Sequence, residues 1–140
     1  MNLSMDVKLI KVATAAGAGT TDVVSDVVDT QGFNGVMFVG SVGAANAANY
    51  AQAAQGLQSN MSDAATLSGS KAAPAANGDS FLVDVSRPMK RYVQLTIKRG
   101  ASTTTGDVYA ILYSPMHSPT THGSTISAAA KLTSPDEGTP

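Results

Sequence analysis

The sequence predicts an all-β domain, a jelly roll or β-sandwich of about eight antiparallel strands with extended N- and C-terminal arms. Three observations lead there. Residues 81–113 hold three segments in which apolar and polar side chains alternate with a period of two. Further apolar runs recur at fairly regular intervals along the chain. Clusters of Gly, Pro, Asn and Asp stand between them.

Taken in order, residues 6–13 alternate weakly and read as an edge strand, with Val7, Leu9 and Val12 expected inward. Gly17 and Gly19 then break the chain. In residues 20–29, Val23, Val24, Val27 and Val28 fall at helical spacing, but β-branched side chains favour extended backbone, so a strand is expected. Asp29-Thr30-Gln31-Gly32 forms a turn. Across residues 33–42, Val36, Phe38 and Gly40 share one face, and Met37, Val39 and Ser41 the other. Apolar residues on both faces suit a central strand covered on both sides, or one face in the core and the other against a partner. Propensity alone favours a helix over residues 44–55, yet no apolar stripe supports it, and a loop leading into a strand from about Ala48 is expected. Residues 59–79 are polar, with one short strand around residues 64–67.

The most regular stretch follows. Phe81, Val83 and Val85 alternate with Leu82 and Asp84; then Val93, Leu95 and Ile97 alternate with Tyr92, Gln94, Thr96 and Lys98; and residues 108–113 repeat the pattern. The connection 99–107, with Gly100, Gly106 and a Ser/Thr run, suits a long hairpin loop, so these strands are expected to build one antiparallel sheet. Beyond Tyr113 lie four of the six prolines. Residues 1–113 are therefore expected to form the body and residues 114–140 an arm that orders only along a neighbouring surface.

Composition narrows the function classes. A formal charge of -1 gives no long-range attraction for nucleic acid or an anionic membrane. The absence of cysteine removes disulfides, thiolate metal sites and cysteine nucleophiles. Asp6, Lys8 and Lys11 interrupt what a secretory signal would need to keep apolar, and no run approaches the roughly 20 apolar residues that span a bilayer. Charged residues make up only 14%, against about 25% in typical domains, and so small-residue a surface is easily desolvated against other protein.

No catalytic residue, cofactor or metal site is expected. His117 and His122 both fall in the arm, far in sequence from further ligands. Asp22, Asp26 and Asp29 match no calcium loop and read as a solvated rim. Residues 40–44 are glycine-rich but lack the Lys-Ser/Thr ending of a phosphate cradle, and no G-x-S-x-G elbow occurs. One local charge concentration remains, Arg87, Lys90, Arg91, Lys98 and Arg99. It serves either solubility around a strand or contact with a partner protein.

The string Asp29-Thr30-Gln31-Gly32-Phe33-Asn34-Gly35-Val36-Met37-Phe38, with Arg91-Tyr92-Val93-Gln94 and the arm from Tyr113-Ser114-Pro115 to Pro119-Thr120-Thr121-His122, resembles the jelly-roll cement, or head decoration, proteins of tailed bacteriophages. The likeness runs over residues 20–122 and departs from the pattern at residues 44–58, where alanine and glutamine replace strand formers. It implies a non-enzymatic virion protein, made in the host cytoplasm, that binds the outside of the capsid and ties neighbouring major capsid protein subunits together. It further implies self-association as a dimer or trimer, with neither nucleic acid nor membrane as partner. The residues expected to carry contacts are Arg87, Lys90, Arg91, Tyr92, Tyr113, Pro115, His117 and Pro119. An alternative is a particle-displayed sandwich that binds host-surface glycan. Such a site wants stacked aromatics, and the chain has no tryptophan and four tyrosines.

Overall fold

A computed structural model describes residues 2–139, and among them the chain forms a 3-10 turn at Leu3–Met5 and eleven strands. These are β1 (Val7–Ala13), β2 (Ala16–Gly19), β3 (Val23–Val24), β4 (Val28–Asp29), β5 (Phe33–Ser41), β6 (Asn49–Gly56), β7 (Ala65–Thr66), β8 (Ser80–Ser86), β9 (Tyr92–Arg99), β10 (Thr103–Thr105) and β11 (Val108–Pro115). No helix among the described residues is long and apolar enough to cross a membrane.

Two antiparallel sheets face each other. One has the order β1-β11-β5-β8; in the other β9 lies between β6 and the collinear pair β3 and β4, with β7 at the far edge. With β3 and β4 counted as one strand, the first major strand pairs with the last, the second with the second to last, and so inward to β6 with β7. That nesting is the jelly-roll topology. It overturns the single sheet expected for residues 81–113. β9 lies in one sheet, β8 and β11 in the other, and residues 99–107 cross between layers instead of closing a hairpin. Alternation specifies which face a strand buries, not which strand it pairs with.

The core fills the space between the sheets, with Val36 and Phe38 of β5, Phe81 and Val83 of β8, Ala110 and Leu112 of β11, and Val93, Leu95 and Ile97 of β9 all buried. Burying each large side chain contributes about 2 kcal/mol. β6 supplies Ala51 and Ala53, both fully buried. They pair across the ladder with Ile97 and Leu95 and share the core with Phe38, although alanine's helix propensity points elsewhere. Pairing along all of β9 overrides that local preference.

Two expectations for the first strands change. Ile10 and Val12 pack on the core, whereas Val7 and Leu9 lie on the outer face beside Ile111 and Tyr113. Both parities of this strand are apolar, so the pattern did not discriminate. Residues 20–29 form two short strands rather than one. Between them Ser25 Oγ accepts the Leu95 N–H at 3.0 Å, replacing a backbone partner. β2 and β10 had no sequence signature at all. They pair at the end of the sandwich where Arg99, only 7% exposed, donates to the carbonyls of Thr21, Gly17 and Thr103.

The C-terminal segment folds back on its own chain. Its path crosses a cis Ser118–Pro119 bond. Thr120 N–H donates to Met5 O at 3.0 Å, Gly123 N–H to Leu9 O at 2.9 Å, and Leu9 N–H to His122 Nδ1 at 3.0 Å, so residues 118–123 cover the free edge of β1. Covering an edge strand in this way blocks unintended pairing.

The sheets differ on the outside. On the four-stranded sheet, register aligns Leu9, Ile111, Met37 and Asp84 in one row and Lys11, Tyr109, Val39 and Leu82 in the next. Six of these eight positions are apolar or aromatic. The other sheet presents Gln94, Thr96 and Lys98 beside Tyr50, Gln52 and Ala54.

Candidate functional site

At one end of the sandwich the β4–β5 turn, the β6–β7 loop, the β8–β9 loop and the exit of β11 meet. Backbone geometry there is unusual. The three described non-glycine residues with left-handed backbone, Met61 (φ 58°), Arg87 (φ 50°) and Ser114 (φ 54°), all belong to these segments. Such conformations cost on the order of 1–3 kcal/mol each and persist only where the surroundings hold them.

Here the surroundings do hold them. Arg87 N–H donates to Asn34 O at 2.7 Å, and Asn34 Nδ2 donates to Ser114 O at 3.2 Å, so one asparagine ties two of the strained residues together. Met116 N–H reaches Gly32 O at 2.8 Å. Thr30 binds Arg91 O through both its N–H (3.0 Å) and Oγ1 (2.7 Å). In the β6–β7 loop the Asp63 carboxylate accepts the N–H groups of Leu57 and Gln58 at 2.8 and 3.0 Å, which holds its pKa below the usual carboxylate value. Met89 N–H donates to Gln55 Oε1 at 3.1 Å and joins the β8–β9 loop to β6.

Charges in the region are largely matched. Arg91 grips Asp29 through two parallel bonds, Nε to Oδ1 at 2.8 Å and Nη2 to Oδ2 at 2.7 Å. This contact lowers the Asp29 pKa and raises that of Arg91. Lys90 lies 3.8 Å from Asp63, and toward the other end of β9 Lys98 pairs with Asp22 at 2.7 Å. Of the aspartates expected as a solvated rim, Asp29 thus pairs with Arg91 and Asp22 with Lys98, and Asp26 joins neither pair. Arg87 is exposed and forms no ion pair among the described residues.

The residues expected to make contacts are only partly brought together. Arg87, Lys90, Arg91 and Pro115 gather at this end. Tyr92 and Tyr113 stand on opposite outer faces of the sandwich, while His117 and Pro119 begin the segment along β1. Sequence reasoning missed Met89, 90% exposed, and Met116, 66% exposed, which project from the β8–β9 loop and the β11 exit. A methionine set between Pro88 and Lys90 in a polar loop was the available signal.

Chemically the end offers flexible apolar side chains and a guanidinium on a rigid frame, a combination suited to gripping protein. Among the described residues no three His, Asp or Glu side chains converge as a metal-ligand set. His122 uses Nδ1 on the backbone of β1. No protein-family model matches the chain, and no curated protein matches it.

Proposed function

We propose that this chain is a structural virion protein that binds the outer surface of a phage capsid and cements neighbouring major capsid protein subunits. The observation that carries the reading is the loop end just described, where strained backbone is locked by hydrogen bonds and presents Met89, Met116 and Arg87 outward. Apolar anchors with an arginine are typical of protein contacts, and weak contacts repeated over a symmetric shell add up through avidity. The glycan alternative is less well served. Lys71 lies over the Tyr50 ring and Arg91 over the Tyr92 ring, which reduces the aromatic surface available to sugar.

The test uses particles that lack the protein. Added back, the chain should coat the shells at fixed stoichiometry and raise the temperature at which they break, and Met89→Glu with Met116→Glu should abolish coating while the chain stays folded. Shells of unchanged robustness, or saturable binding on a glycan array without shell binding, would remove the cement reading.

A further inference from the structure

We infer that the free edge of β8 is a peptide-binding site, which takes an extended segment of a partner protein as an added strand of the β1-β11-β5-β8 sheet. This goes beyond attachment through the loop end, uses different atoms, and stands whether or not the chain coats a shell.

Hydrogen-bond parity identifies the open backbone groups. Arg87 N–H donates to Asn34 O at 2.7 Å and Val42 N–H to Asp79 O at 3.2 Å. In that register the odd-numbered residues of β8 bond to β5, so the N–H and C=O groups of Leu82, Asp84 and Ser86 point away from it. No hydrogen bond among the described residues reaches these groups, and all three residues are exposed. The remaining edges of the two main sheets are protected. Residues 118–123 cover β1, and β3, β4 and β7 are each two residues long. β8 runs for seven residues without proline or lysine, the usual means of discouraging strand addition. Its one charge, Asp84, is engaged by the Tyr113 hydroxyl across the outer face.

The occupant follows from the chemistry. Donors and acceptors set along a line and repeating about every 7 Å are matched by another extended backbone, not by a sugar, a base or a lipid. A groove of about 370 Å³ separates residues 82–86 from residues 67–72 of the other layer, and a second of about 230 Å³ continues it past Leu82 to Pro74. On the outer side an added strand lies beside Leu82, 54% exposed, which favours an apolar residue. On the inner side it passes Lys71, which rests over the Tyr50 ring and forms no ion pair among the described residues. A carboxylate placed there gains a charged partner. The fitting segment is therefore extended and acidic, with apolar residues at alternate positions. In this mode backbone bonds supply affinity and alternate side chains supply specificity.

The probe is a short synthetic peptide in which valine alternates with threonine and a central threonine is replaced by glutamate, titrated into the isotope-labelled full chain. Binding should saturate, with shifts centred on the amides of Leu82, Asp84 and Ser86, whose hydrogen exchange is fast in the free chain and should slow. The same peptide N-methylated throughout should not bind, and a lysine in place of its glutamate should weaken binding. Leu82→Pro removes one outward N–H and leaves the ladder to β5 untouched, so affinity should fall about five- to tenfold with an unchanged circular dichroism spectrum. Ser86→Pro serves the same end should Leu82→Pro disturb folding. Met89→Glu with Met116→Glu should leave peptide binding unchanged, so that failure here and failure of shell attachment are read separately. The proposal is overturned by the absence of saturable binding, by shifts centred on another surface, or by binding indifferent to N-methylation or to both proline substitutions. Slow exchange of the three amides in the free chain, through edge-to-edge pairing of two copies, also overturns it.

Discussion

The Tyr113 hydroxyl donates to Asp84 Oδ1 at 2.6 Å, reaching from β11 across β5 to β8. It can do so because β5 carries Gly35 beneath the ring; a Cβ there would overlap the tyrosine. Burial, then the hydrogen bond to Asp84, raises the phenol pKa. A neutral-form preference in the folded state stabilises fully below the ordinary value of 10.0 and is lost as pH rises through the folded pKa. Thermal melts should therefore show Tyr113→Phe less stable than wild type at pH 7, with the gap closing above about pH 10. Gly35→Ala should destabilise by about 1–3 kcal/mol, the usual effect of overpacking.

Leu95, 1% exposed, stands at the centre of the inner face of β9. Leu95→Ala should lower the free energy of unfolding by about 2–5 kcal/mol in urea titration, through lost burial and the cavity left behind. A loss near zero would contradict the packing described.

Arg99 holds the far end of the sandwich by donating to three carbonyls. Arg99→Met should destabilise by about 3 kcal/mol, since the carbonyls lose charge-assisted bonds. Hydrogen exchange should speed first in β2 and β10. Arg99→Lys should not rescue, because a single ammonium cannot reproduce the guanidinium fork.

The Asp29–Arg91 pair makes an acid-dependent contribution. With its pKa lowered, Asp29 stabilises above the ordinary carboxylate value of 3.8, and that stabilisation is lost as pH falls through the folded pKa. Asp29→Asn should flatten the acid limb of the stability curve, and salt should shrink the difference because the pair is open to solvent. Arg91→Ala should leave the fold intact by circular dichroism.

His122 fastens the C-terminal segment to β1 by accepting the Leu9 N–H. His122→Ala should cost about 1 kcal/mol and make residues 124–139 a preferred site of protease cleavage, with Leu9 and Gly123 amides exchanging faster. Unchanged exchange would show that the remaining backbone bonds suffice.

Much of the fold was legible because period-two alternation reports burial directly. The inner faces of β5, β8 and β9 follow from Val36, Phe38, Phe81, Val83, Val93, Leu95 and Ile97, and the short β7 from the apolar interruption of a polar stretch. The candidate site was less legible. Arg87, Lys90 and Arg91 were visible as a basic cluster, but the aspartates that neutralise the last two lie far away in sequence. Left-handed backbone at Met61, Arg87 and Ser114 has no glycine to announce it.

The class of structure, an all-β body with a proline-rich C-terminal segment, is already written in the amino-acid order, because local pattern and turn residues act over a few positions. Which strands are neighbours emerges only in the folded chain. Chain crossings between layers, the carbonyl cage of Arg99 and the return of residues 118–123 to β1 depend on contacts between residues far apart in sequence. Such contacts form because they jointly bury the core and satisfy backbone polar groups, a condition no single segment can express.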